Sequence, residues 1–220
     1  MTLNELKKQT SNLLLLNKNI LRNFEPRENA LNENIKYWLK NKELILLKKG
    51  VYILNEKYEK EIQKNLYIEY IANQLIQPSY ISMEYVLAKY QLLSEPVNAI
   101  TSITTKTSRE IKNNFYSFRY YSVVPELFKD YEIKYFYNAP VLTAKKSKAL
   151  FDYLYIRFLR NTPINNESIK NLRINWENIT KNEFLKTYSY LSYTKNKRIE
   201  KVLDLIKQIY YAPKNFKRNC

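Results

Sequence analysis

The chain of 220 residues has no histidine, a single cysteine and a single glycine, and each shortage removes a class of chemistry. Without an imidazole to act as general base, Ser–His–Asp and Cys–His triads and most zinc sites are out of reach. A lone cysteine, Cys220, forms neither an internal disulfide nor a paired-thiolate metal knuckle, which fits a reducing compartment. A lone glycine, Gly50, is too few for a P-loop or a dinucleotide-binding turn, both of which need several glycines for close backbone approach to phosphate. Long apolar runs are missing as well. Nothing approaches the roughly 18 residues of a membrane span, and Met1 to Glu5 lack the basic and then apolar order of a secretory signal. The expectation is a cytoplasmic protein with no membrane partner and no cofactor.

What is present is apolar content of 45%, with 15% aromatic residues, enough to pack one large core or two small ones. The net charge is +16, with 28 lysines against 9 arginines. A field of that sign favours a polyanion as partner. Codon bias competes as an explanation, because Lys, Asn, Ile and Tyr, which crowd the chain, have AT-rich codons. The excess is +5 over residues 1–57, +4 over 58–160 and +7 over 161–220, so charge alone does not locate a site.

Leu3, Leu6, Leu13 to Leu16, Ile20, Leu21 and Phe24 supply apolar positions for two helices, ended by Pro26. From Glu28 to Lys42, residues Leu31, Ile35, Trp38 and Leu39 form one buried helical stripe, and Asn32, Asn34, Lys36, Lys40 and Lys42 occupy the other face. Leu44 to Leu47 and Val51 to Leu54 then flank Lys48-Lys49-Gly50, a hairpin whose loop closes on a positive-φ position that glycine accepts. Helices, a polar-faced helix and a basic-tipped hairpin are the order of a winged helix-turn-helix over residues 1–57. Asparagine pairs bidentately with adenine, and lysines neutralise phosphates. The candidate DNA contacts are therefore Asn32, Asn34, Lys36, Tyr37 and Lys40 from the helix and Lys48 and Lys49 from the wing. The plainer alternative is a solvated surface, and winged helices also serve as protein-binding modules.

Residues 58–220 read as a second domain, mixed α/β over 58–160 and helical over 161–220, which makes the chain an α+β protein. A helix is expected from Tyr58 to Gln77, with Ile62, Leu66, Tyr70 and Leu75 inward, ended by Pro78. Ser82 is placed to cap a second helix that has Glu84 in its first turn. Strands follow over Ala99–Thr105, Phe115–Val124 and Tyr131–Tyr137, with a short fourth over Pro140–Thr143. A helix over Ala144–Arg160 buries Leu150, Phe151, Leu154 and Phe158. On it Lys148 and Asp152, four apart, read as an exposed pair worth a few tenths of a kcal/mol, or as a face that meets a partner or RNA. Helices fill the chain beyond Pro163, and Lys214 to Cys220 read as a frayed tail.

Several runs carry a resemblance through their order and spacing: Lys49 to Tyr52, Pro78 to Glu95, Phe118 to Phe128, Lys148 to Asp152 and Leu172 to Asn175. Together, spanning nearly the whole chain, they resemble the AbiEi antitoxins of type IV toxin–antitoxin systems, which act in abortive infection. That resemblance implies an N-terminal winged helix that represses its own operon by binding inverted repeats in promoter DNA. It also implies a following domain that counteracts a nucleotidyltransferase toxin, AbiEii, without a stable complex, and Lys148 and Asp152 are its candidate antitoxin residues. Family members often carry an acidic residue where this chain has Ser147. The resemblance implies no catalysis. Two alternatives stand beside it: a stand-alone winged-helix regulator whose second domain senses a ligand, and a magnesium-dependent nuclease built on Asp130, Glu132 and Lys134.

Overall fold

The computed structural model describes residues 1–159, 161–194 and 196–212. Thr2 and Glu5 close a reciprocal capping box that starts α1 (Leu3–Gln9). Asn17 starts α2 (Lys18–Phe24), its side chain accepting from the Ile20 N–H at 2.8 Å. Between them the chain is not helical, and Leu16–Asn17 forms the short strand β1. Four consecutive leucines would place apolar groups on every side of a helix. The extended path instead divides them, Leu13 and Leu16 facing a small N-terminal core and Leu14 and Leu15 a larger one.

Helix α3 (Glu28–Lys40) buries Leu31, Ile35 and Trp38, as its spacing demands. Strands β2 (Leu44–Lys48) and β3 (Val51–Leu54) make the hairpin, with Gly50 at φ +76° in its turn. The three strands form a sheet in the order β1-β3-β2. The register slips between Leu46 and Lys48, and this bulge turns Leu47 inward while Leu46 stays exposed.

The helix expected from Tyr58 to Gln77 is two helices, α4 (Asn55–Lys60) and α5 (Lys64–Leu75). Ile62, expected inward, lies between them and is 95% exposed. Two anchorages explain the break. Lys57 ties α4 to the Ser11 and Leu13 carbonyls at 2.8 and 2.9 Å, whereas α5 lies on a sheet, with Tyr67 stacked on Phe136.

That sheet has six strands in the order β6-β7-β5-β4-β9-β8: β4 (Ser79–Ile81), β5 (Ile100–Thr104), β6 (Arg109–Lys112), β7 (Ser117–Ser122), β8 (Tyr131–Phe136) and β9 (Ala139–Ala144). The pairs β5/β7 and β4/β9 are parallel and the other three antiparallel. Helix α6 (Met83–Lys89) follows β4, and α7 (Lys146–Phe158) lies across the sheet from α5. Behind α7 come α8 (Asn166–Lys170), α9 (Lys181–Leu185), a 3₁₀ segment over Lys186–Tyr193 and α10 (Lys197–Tyr210), which buries Ile199, Val202, Leu203 and Ile206. The expected tail from Lys214 lies outside the described residues.

The chain is thus of mixed α+β class, with two apolar cores. The smaller holds only N-terminal residues, from Leu6 to Leu54, but the hairpin residues Leu47 and Ile53 belong to the larger. Hydrogen bonds cross at the same place, from Asn113 Nδ2 to the Leu47 carbonyl at 2.7 Å and from the Tyr67 hydroxyl to the Leu14 carbonyl at 2.5 Å. Among the described residues, no helix is long and apolar enough to cross a membrane.

Candidate nucleic-acid interface and a buried lysine–aspartate pair

Glu28, at the start of α3, ties this helix to α2. Its carboxylate accepts from Lys18 Nζ at 2.5 Å and from Arg22 Nε at 3.0 Å, both on α2. These partners, Arg22 first, hold the Glu28 carboxyl down to about 2. Glu25, bonded to Arg27 and the N-terminal ammonium, and Glu56, bonded to Lys60 and Lys7, are also held to about 2. A carboxyl whose folded value is depressed adds stability above its unfolded value, lost as pH falls through the folded one. The thermal midpoint should therefore drop as pH is lowered from about 5 towards 2, and Glu28→Gln should make that drop shallower. An unchanged slope in the variant would show that Glu28 does not couple α2 to α3.

Away from its buried stripe, α3 presents Asn29, Asn32, Glu33, Lys36, Tyr37 and Lys40. Tyr37 is 64% exposed. Lys36 and Glu33 form an ion pair at 2.7 Å that is open to solvent. A hollow of about 390 Å³ between α3 and β3 is lined by Asn29, Asn32, Glu33, Ile35, Lys36 and Tyr52. Asn29 and Glu33 escaped the sequence reading, although their spacing from Asn32 and Lys36 put them on this face. Glu33 adds an acceptor suited to cytosine N4 and partly neutralises Lys36. Asn34 stands apart, on the flank of the buried stripe, where its Nδ2 donates to the Met1 carbonyl at 3.3 Å.

The two hairpin lysines also separate. Lys49 is exposed at the tip. Lys48 is half-buried and donates to the Leu75 carbonyl at 2.5 Å, at the seam with α5. Burial, then the charges of Arg109 and Lys106, push its ammonium below the usual lysine range. Of the two, Lys49 is the cation free to meet phosphate.

Lys148 and Asp152, expected to be exposed on α7, are both wholly buried. One Asp152 oxygen takes the Lys148 ammonium. The other accepts from the Ser82 hydroxyl at 2.7 Å and from the Tyr80 hydroxyl at 3.0 Å. The ammonium also faces the rings of Tyr190, Tyr80 and Phe151 at 5.3, 5.4 and 5.6 Å, an aromatic enclosure that favours a cation. Burial pushes the Asp152 carboxyl up, against the pull of Lys148 and the two hydroxyls. Ser82 makes no cap bond to α6, because its hydroxyl serves Asp152. The expectation failed because this side of α7 faces the end of β4, where Tyr80 and Ser82 lie, with Tyr190 of the 3₁₀ segment closing over the ammonium. Neither side chain reaches the surface, and the pair holds α7 to the end of β4.

Glu132 and Lys134 pair with each other at 3.1 Å on β8, and among the described residues no three His, Cys, Asp or Glu side chains gather where a metal could sit. A cleft of about 610 Å³, which no sequence signal marked, is lined by Glu84, Arg119, Tyr153 and Arg173 among others. One Glu84 oxygen is buried without a hydrogen-bond partner, and burial raises its carboxyl above the usual range. Arg119 and Arg173 are engaged by Glu110 and Glu95. In comparisons with known proteins, no family model and no curated protein matches this chain.

Proposed function

We propose that residues 1–57 are a winged helix-turn-helix that binds promoter DNA, with α3 in the major groove and the Lys49 tip on the phosphate backbone. The observation that carries this reading is the element order α1-β1-α2-α3-β2-β3 with its β1-β3-β2 sheet, which leaves the polar face of α3 uncovered beside a basic hairpin tip. Asn32 and Glu33 are the base-reading candidates, while Lys36, Lys40 and Lys49 contact phosphate.

The test is a mobility-shift titration on DNA upstream of the chain's own coding sequence, repeated over several salt concentrations. Replacing Lys36, Lys40 and Lys49 together by Ala should weaken binding to every sequence and reduce the salt slope by about 0.9 for each phosphate no longer neutralised. Asn32→Ala should alter sequence preference instead, and Lys48→Ala should leave the salt slope unchanged. A triple variant with wild-type affinity and slope would sink the assignment.

On the resemblance to AbiEi antitoxins, the remainder of the chain opposes a nucleotidyltransferase toxin, and the protein acts as antitoxin and autorepressor without catalysis. Growth rescue by the intact chain, on co-expression with a nucleotidyltransferase encoded beside it, tests that half. The unpartnered buried Glu84 oxygen in its cleft favours a second reading, a regulator whose second domain senses a small ligand, which rescue of growth would disfavour.

A further inference from the structure

The six-stranded sheet ends on β8, and the backbone groups of that edge can be assigned from the ladder. The two-residue turn after Phe136 makes Phe136 and Ala139 a hydrogen-bonded pair, and bonding alternates from there. Leu142, opposite Ile133, accordingly gives its N–H to Asn73 Oδ1 at 2.5 Å rather than to β8. The N–H and C=O groups of Tyr131, Ile133 and Tyr135 therefore point outward. Among the described residues, no turn, loop or cap takes up any of them. Ile133 is 53% and Tyr135 63% exposed, and β8 carries neither proline nor bulge to blunt its edge.

The sequence of this edge is complementary to itself. In Tyr131-Glu132-Ile133-Lys134-Tyr135, antiparallel pairing with a second copy about Ile133 sets Glu132 against Lys134 and Tyr131 against Tyr135, each twice. The charged pairs fall at non-hydrogen-bonded positions, where facing side chains are closest. Other registers that use the outward groups lose this match: centring on Tyr131 opposes Glu132 to Asp130, and centring on Tyr135 opposes Lys134 to the buried Phe136. The opposite edge, β6, also contains Glu-Ile-Lys, but it is shorter and its Glu110 is bonded across to Ser117 and Arg119 of β7, whereas among the described residues Glu132 pairs only with Lys134 of its own strand.

We infer that two copies of this chain associate through β8, antiparallel, with Ile133 on the two-fold axis, joining two sheets into one through about six main-chain hydrogen bonds. The inference uses nothing of the DNA reading. Such an edge contact is small, so the dimer is a weak one.

Sedimentation equilibrium of the full chain, loaded from about 1 µM to about 1 mM, tests it. The wild type should follow a monomer–dimer equilibrium. Glu132→Lys and Lys134→Glu each replace two attractive pairs by two repulsive ones and should raise Kd about tenfold or more. The double exchange E132K/K134E recreates the match and should restore Kd to within about twofold. Ile133→Lys, on the other face of the strand, should abolish association. Ile133 and Lys134 are solvent-exposed and Glu132 is partly so, and circular dichroism confirms that each variant is folded. A wild type monomeric throughout, single variants with unchanged Kd, or a dimer that responds to Glu110→Lys and not to Glu132→Lys would each overturn the inference.

Discussion

Lys148→Met is expected to lower the unfolding free energy by about 3–5 kcal/mol, because it leaves the buried Asp152 carboxylate without its ammonium. Methionine keeps roughly the volume of the lysine stem, so the loss arises from charge rather than from a cavity. Removing both charges should cost less. In the double variant Lys148→Met with Asp152→Leu no ion is stranded, yet the Ser82 and Tyr80 hydroxyls lose their acceptor, at about 1–3 kcal/mol for each one left unsatisfied. Adding Ser82→Ala should recover part of that. Urea denaturation with a common slope measures the series. If Lys148→Met costs less than about 1 kcal/mol, the pair is not an ion pair in the folded protein, and the aromatic enclosure has another purpose.

Ile53→Ala, a substitution in the β2–β3 hairpin, should destabilise the whole chain by about 2–5 kcal/mol. Ile53 is fully buried and belongs to the large core, not to the small N-terminal one. The two tryptophans allow a direct reading, since Trp38 lies in the N-terminal core and Trp176 in the C-terminal part of the large one. Single-tryptophan variants made by Trp38→Phe and Trp176→Phe should lose fluorescence at the same urea concentration, and Ile53→Ala should shift both transitions together. A shift confined to the Trp38 signal would mean that the N-terminal region unfolds independently. The same packing bears on a cut at residue 58. A fragment starting there lacks Leu47, Ile53 and the Leu14 carbonyl that accepts from Tyr67, so its exposed core is expected to drive aggregation. Tests of the proposed antitoxin action therefore call for the intact chain.

Segments whose structure follows from neighbouring residues were legible in the sequence alone. The spacing of Leu31, Ile35 and Trp38 determined α3, Gly50 marked the hairpin turn, and the apolar pattern from Ile199 to Ile206 determined α10. Strands β5, β7, β8 and β9 were foreseen within a few residues, whereas β4 and β6 were not. Three residues behind a proline and a charged Arg-Glu-Ile-Lys run have no apolar period, and they are strands only because partners offer them ladders. The candidate site divides the same way. Tyr37, Lys40 and Lys49 are exposed where the local pattern put them, but Lys48, Asn34, Lys148 and Asp152 were decided by tertiary structure. Each meets groups brought from far along the chain: Leu75 is 27 residues from Lys48, Met1 is 33 from Asn34, and Tyr80 is 72 from Asp152. Periodicity tells which residues share one side of a helix. Whether that side faces water or the core depends on segments that local sequence does not contain, and for a lysine and an aspartate four apart this separates a weak surface pair from a core ion pair whose disruption is strongly destabilising.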